Sequence, residues 1–325
     1  MRKLLLSTTA LAAAATLSAN AALADVAISG AFEWTYNSRS SNLTSLDGTT
    51  FNTDSEMAIN FTNKTDSGLD VTYRVDFHTD GGVFANDETS LTIAGGFGKI
   101  VLGYDDLAAD AYTIDESDLI KEDAAPAASS SSISTGTAAP VDNDGNKVAY
   151  HLPAMGGLTA GISHTDGGEE GGNDTTSMGA QYAMTAAGAS ITIGMNTTTQ
   201  ENSTQDIDQE NMGLKIVSGD LSVIFASGQY EANDEERDNV GAAISYSMPN
   251  GMTVGAYTAK SEDDLDAGEE YTRTGVELVY PIAAGLTAMI NVDDYDYKKG
   301  TDADSDGANE SDSGTNSKLT IQATF

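Results

Sequence analysis

Leu69-Asp70-Val71-Thr72-Tyr73-Arg74-Val75-Asp76-Phe77-His78 alternates apolar and polar residues without a break. In an extended chain successive side chains point to opposite faces, so this stretch reads as a strand. Leu69, Val71, Tyr73, Val75 and Phe77 form its apolar face, and Asp70, Thr72, Arg74, Asp76 and His78 its polar face. The same period holds upstream: Met57, Ile59 and Phe61 oppose Glu56, Asn60, Thr62 and Lys64. Earlier still, Val26, Ile28, Phe32, Trp34 and Tyr36 oppose Ala27, Ser29, Glu33 and Thr35.

Extending this reading to Phe325 predicts sixteen strands, at approximately 26–37, 54–65, 69–79, 87–95, 98–105, 146–153, 158–166, 175–185, 189–199, 208–218, 220–231, 237–248, 252–261, 269–281, 285–297 and 315–325. Short turns such as Thr65–Gly68, Ala186–Gly188 and Pro249–Gly251 alternate with long acidic connections such as Asn37–Thr53, Asp166–Asp174 and Lys298–Gly314. One rim of short turns, one rim of long loops and an even strand number are the signature of an antiparallel transmembrane β-barrel. Closing the sheet removes edges whose unpaired backbone groups lipid cannot satisfy. The apolar face then meets lipid and the polar face meets water, so no dry central core is needed. A soluble β-sandwich or a β-helix adhesin is the alternative. Rows of charge on the polar face, strict alternation of connection lengths, and the apolar, aromatic-ended Lys318–Phe325 segment argue against it.

Composition agrees. The chain has 325 residues, only 39% of them hydrophobic, 33 glycines, no cysteine and a formal net charge of −35. So acidic a surface repels nucleic acid, and with no cysteine no disulfide framework holds the chain. Met1-Arg2-Lys3, the apolar stretch Leu4–Leu17 and the small-residue site Ala22-Leu23-Ala24 predict a secretory signal peptide over 1–24 and a mature chain over 25–325.

With Asp25–Gly30, Gly96-Phe97-Gly98-Lys99-Ile100-Val101-Leu102-Gly103-Tyr104-Asp105, Asn146–Tyr150 and the terminal Phe325 in view, the chain resembles the general porins of alphaproteobacteria (the Rhodobacter type) over 25–325. The resemblance implies an all-β, 16-stranded barrel in the outer membrane of a Gram-negative bacterium. It also implies passive diffusion of small hydrophilic solutes, a homotrimer, and recognition of Phe325 by the barrel-assembly machinery. It further implies that the long connection after strand five, about 106–145, folds inward as a constriction loop. On that loop Asp115, Glu116, Asp118, Glu122 and Asp123 are the candidate acidic side of the pore, faced by Lys64, Arg74, Lys99 and Arg273 as basic wall residues. Acid outnumbers base, so cation preference is expected. Leu107, Ile114, Leu119 and Ile120 are placed to pin the loop to the wall. Val101 stands where related porins often place a pore-facing basic residue.

Asp302-Ala303-Asp304-Ser305-Asp306-Gly307 matches the first half of a calcium loop, but Ser313 stands where the twelfth-position Glu belongs. Asp302, Asp304 and Asp306 are therefore either a weak outer Ca²⁺ site or a solvated acidic loop; no other cofactor is expected. Outer carboxylates could also take divalent cations that bridge lipopolysaccharide. Only His78, His151 and His164 are available as bases, and no nucleophile–base pair can be assigned, so an enzyme is not expected. The competing readings are a substrate-specific channel, which would line its constriction with aromatics although Tyr112 is the only one in 106–145, and a non-conducting surface barrel.

Overall fold

The computed structural model describes residues 25–43, 47–78, 85–121, 145–167, 174–201, 206–232, 235–263, 268–298 and 311–325. The predicted signal peptide, Glu122, Asp123, Asp302, Asp304 and Asp306 lie outside them. The sixteen strands are β1 (Asp25–Ser41), β2 (Gly48–Lys64), β3 (Asp70–His78), β4 (Ala85–Gly95), β5 (Gly98–Asp105), β6 (Gly145–His151), β7 (Leu158–Thr165), β8 (Asp174–Ala186), β9 (Ala189–Glu201), β10 (Asp206–Ser218), β11 (Leu221–Ala232), β12 (Glu235–Ser247), β13 (Thr253–Asp263), β14 (Glu270–Ala283), β15 (Leu286–Lys298) and β16 (Asp312–Thr324). Each pairs antiparallel with its sequence neighbours, and β1 pairs with β16, which closes the barrel. The seam is completed at the short-turn rim, where Phe325 N donates to Gly30 O at 2.9 Å and Gly30 N to Phe325 O at 3.3 Å.

The alternation decides which face is which. Ile28, Phe32, Met195, Phe225, Val276 and Ile290 are large, apolar and exposed on the outer wall. In water so continuous an apolar surface would be a liability; in lipid it is the solvent-matched face. The turns follow local chemistry. In the two-residue hairpin between β8 and β9, Ala187 and Gly188 both have positive φ, 51° and 82°, the geometry whose twist matches that of the flanking strands.

The strands overrun the membrane. β10, with 13 residues, rises roughly 43 Å at ~3.3 Å per residue, more than even a strongly tilted strand needs for a ~25 Å apolar band. The surplus lies toward the long-loop rim, where outward positions turn polar. It also accounts for the largest departure from the sequence reading: most of Asn37–Thr53, read as a loop, is strand, with Arg39 opposite Gly48. Above the membrane no alternation is required, and Thr, Ser and Asn extend the ladder without showing it. Tyr257 points into the barrel and is 4% exposed. Trp34 and Tyr36 do face outward and both pack on Phe51, at 5.6 and 5.2 Å between ring centroids.

Candidate functional site

The described part of the connection after β5, residues 106–121, turns into the barrel and runs along its inner wall from β6 to β14. The first reason is apolar. Leu107, Ala108, Ala109, Tyr112, Ile114 and Ile120 are all buried. Val101 and Ala149 form a small apolar seat under Ala108, while Ile114 packs on Ile224 and Ala226, and Ile120 on Ala243 and Tyr257. Val101 thus supports the loop where a basic residue would have faced the water.

The second reason is space. Gly161, Gly179, Gly194 and Gly213 lie at inward positions in the middle of β7, β8, β9 and β10, with Gly161 opposite Gly179 and Gly194 opposite Gly213. A Cβ on Gly179 would stand 2.8 Å from the Tyr112 ring, and one on Gly213 would stand 2.2 Å from the Ile114 carbonyl oxygen. Only glycine lets the loop backbone lie this close to the strands.

Hydrogen bonds fix the register of the loop on this lane. Ala108 N donates to Ser163 Oγ at 2.9 Å and Ala109 N to Ser177 Oγ at 3.2 Å. The Tyr112 hydroxyl lies 2.7 Å from His151 Nδ1. Asn196 Nδ2 donates to Thr113 Oγ1 at 2.7 Å, and Lys121 N to Glu277 Oε1 at 2.9 Å. Paired backbone is what permits an irregular segment at membrane depth.

The candidate acidic residues fall into different environments. Asp115, Glu116 and Asp118 share one short 3₁₀ turn. Asp115 Oδ1 accepts from Ser117 N at 2.9 Å, so it caps that turn. Glu116 is 8% exposed and turned away from water, whereas Asp118 is exposed and lies 3.6 Å from Lys215 on β10.

The candidate basic residues are dispersed. Arg74, on the inner face of β3, is half-exposed and pairs with Asp76 and, at 3.9 Å, with Glu88. Lys64 and Lys99 sit at the short-turn end: Lys64 pairs with Asp70 at 3.0 Å, and Lys99 lies opposite His151. Arg273 does not line open water. It is 2% exposed, its Nε is 3.2 Å from Asp293 Oδ2, and its guanidinium stacks 5.4 Å over Tyr257. Its neighbours Tyr271, Asn291 and Asp293 are equally buried, so its charge is spent on the wall.

Among the described residues, one cluster of carboxylates was not singled out by the sequence reading. Glu88 at the upper end of β4, Asp105 at the end of β5 and Asp106 at the root of the loop bring carboxylate oxygens within 4.8 Å of one another. Loss of hydration inside the barrel, and then the adjacent Asp105 charge, hold the Asp106 carboxyl above the usual range. The sequence signal was faint. Asp105 and Asp106 are adjacent, but Glu88 joins them only because β4 pairs with β5, with Thr89 opposite Tyr104.

A Gram-negative porin family model matches residues 7–313. The chain belongs to the Gram-negative porin family. The porin also shares its fold with solved structures of low sequence identity. A loop-deletion mutant of OmpT, an outer membrane protein of Vibrio cholerae, superposes with a TM-score of 0.69 at 13% identity, covering 93% of this chain and 99% of that one. An anion-selective porin from Comamonas acidovorans gives 0.67 at 14% identity, over 93% and 100%. A variant of Rh. blastica porin gives 0.65 at 17%, over 93% and 100%. No curated protein matches the porin significantly. Family and fold place it in the outer membrane as a channel-forming barrel.

Proposed function

We propose that this porin is a general diffusion channel of the alphaproteobacterial type that passes small hydrophilic solutes and prefers cations. The observation that carries the preference is the Glu88, Asp105 and Asp106 cluster beside Arg74, where the loop enters the barrel. Carboxylates here attract cations and repel anions at close range. Asp118 adds exposed acid further along the loop. The anion-selective Comamonas acidovorans porin has the same fold, so selectivity follows the charges rather than the barrel. Tyr112 argues against a sugar-type channel with an aromatic path, because its ring is buried against Gly179 and its hydroxyl is held by His151.

The porin acts as a secreted, assembled barrel without catalytic function. Residues 1–24 serve as the export signal, and Phe325, 85% exposed at the short-turn rim, is offered to the assembly machinery. Three barrels associate, as a trimer form of OmpT does. The outer carboxylates, Asp302, Asp304 and Asp306 among them, meet lipopolysaccharide and its divalent cations.

The test is the reversal potential of the refolded porin across a KCl gradient in a planar bilayer. The expected sign is cation-selective, with the offset falling in a Glu88→Gln/Asp105→Asn variant. An anion-selective sign, or no conductance from a folded barrel, would overturn the reading.

A further inference from the structure

The register of the inner wall places two basic residues in one row, one on each side of the acid cluster. Arg74 on β3 is opposite Ser90 on β4, Ser90 opposite Gly103 on β5, and Gly103 opposite Lys147 on β6. Arg74 and Lys147 are thus three strands apart, roughly 14 Å at ~4.8 Å per strand. Ser90 and Gly103 put little side-chain bulk between them. Glu88 and Asp105 stand two residues further toward the long-loop rim on these same two strands, and Asp106 follows at the root of the loop.

The two cations differ in their access to water. The Arg74 side chain is 49% exposed, so mobile ions screen it. Lys147 is 3% exposed, and a buried charge is screened much less. Asp105 lies diagonally across from it, because Asp105 pairs with Gly145, two residues before Lys147. Long side chains bridge that spacing. Asp106 feels the same charge. Lost hydration and then Asp105 raise its carboxyl, while Lys147 and then Arg74 draw it back down. Asp87 adds to the raising charge, and Glu88 completes the cluster from β4.

We infer that Lys147 is a positioning residue for ion selectivity: its buried ammonium acts through Asp105 and Asp106 to keep the acid cluster charged. The inference rests on the cation preference proposed above for that cluster. Without Lys147, Glu88, Asp105 and Asp106 repel one another against less opposing charge, and carboxylates that share a site take up a proton more readily. A cation held out of the water therefore supports the passage of cations, whereas Arg74, in the water, opposes it.

Reversal potentials of the folded porin across a KCl gradient, taken from alkaline to acid pH, test this. Lys147→Met should lose its cation preference at a pH about one unit above the native midpoint, the size of displacement that loss of one neighbouring opposite charge produces. At alkaline pH it should keep the native preference, because the carboxylates are then ionised without help. Lys147→Arg, which retains the charge, should restore the native midpoint. If Lys147→Met does not fold, adding Asp106→Asn should recover folding, since it removes a carboxylate left without its counter-charge. Failure to fold with or without Asp106→Asn would overturn the inference and make Lys147 a packing residue. So would a preference lowered equally at every pH, or a pH profile identical to that of the native channel; either would leave the cation preference itself standing. A native channel without cation preference would overturn both readings.

Discussion

The two sides of the inner wall are filled by opposite means. On β7–β10 the wall offers glycine and serine, and the loop supplies the bulk: Tyr112 and Ile114 occupy the space that side chains would have taken. On β13–β16 and β1 the wall fills itself. Arg273 pairs with Asp293, Asn316 Nδ2 donates to Asp293 Oδ2 at 3.1 Å, and Arg39 pairs with Asp312 at 2.6 Å while stacking 5.1 Å from Tyr295. The first arrangement leaves a detachable part in the channel, and the second makes the wall rigid and electrically quiet. Inward charge is therefore a poor guide to pore charge. What counts is whether the group remains in water.

This contrast breaks most visibly at Arg273. Its replacement by Ala leaves Asp293 buried without its partner, a loss of about 3–5 kcal/mol for a broken buried pair. Arg273→Ala should therefore lower the heat or denaturant midpoint of the folded barrel, read by the mobility shift on unfolding. Barrels that do fold should keep native ion selectivity. A change in selectivity with unchanged stability would place Arg273 in the water path and dissolve the distinction between the two walls.

The glycine lane gives the complementary case. Gly213→Val adds a side chain where a Cβ already meets the Ile114 carbonyl oxygen at 2.2 Å and its Cβ at 2.6 Å. Overpacking of this kind costs about 1–3 kcal/mol, and the loop is the part that can yield. Single-channel conductance and the size limit for neutral solutes should both rise, while the midpoint moves less than in Arg273→Ala. An unchanged size limit would mean that the strands, not the loop, absorb the strain.

The barrel was legible because lipid and water impose period two on every membrane-crossing stretch, so Val71 to Phe77 alone nearly states the fold. The ends of β1 and β2 were not, since Arg39–Ser41 and Gly48–Thr53 pair above the membrane, where neither face has to be apolar. Within the site, Leu107, Ile114, Leu119 and Ile120 announced themselves as anchors in an otherwise polar loop. The lane beneath them was written as single glycines in the middle of four strands, a mark of close backbone approach that can be read without a structure. Charge placement was the least legible. Arg74 and Arg273 are both polar-face residues of their strands, and only the surroundings that the fold gives each decide that one meets water and the other Asp293. The Glu88, Asp105 and Asp106 cluster depends on pairing across a hairpin and on the direction in which the loop leaves it.

That cluster gives the smallest expected effect and the finest test of the contrast. The Asp106 carboxyl sits above the usual range through lost hydration and the neighbouring Asp105 charge. A raised carboxylate takes up its proton first as pH falls. Cation preference should therefore begin to weaken at a higher pH than an exposed Asp would allow, and Asp106→Asn should show the weakened preference at neutral pH. One unit charge ~7 Å from the ion path in a water-like medium is worth about 0.6 kcal/mol in favour of a cation and as much against an anion, together roughly sevenfold in the cation-to-anion permeability ratio. Asp312→Asn, on the self-filled wall, removes the same charge from a residue that is 1% exposed and held by Arg39, and should leave that ratio where it was. Reversal potentials of the two variants, followed from neutral to acid pH, separate the walls. Equal shifts in both would show that buried wall carboxylates reach the ion path, and a shift in Asp312→Asn alone would move the selectivity centre from the root of the loop to β16.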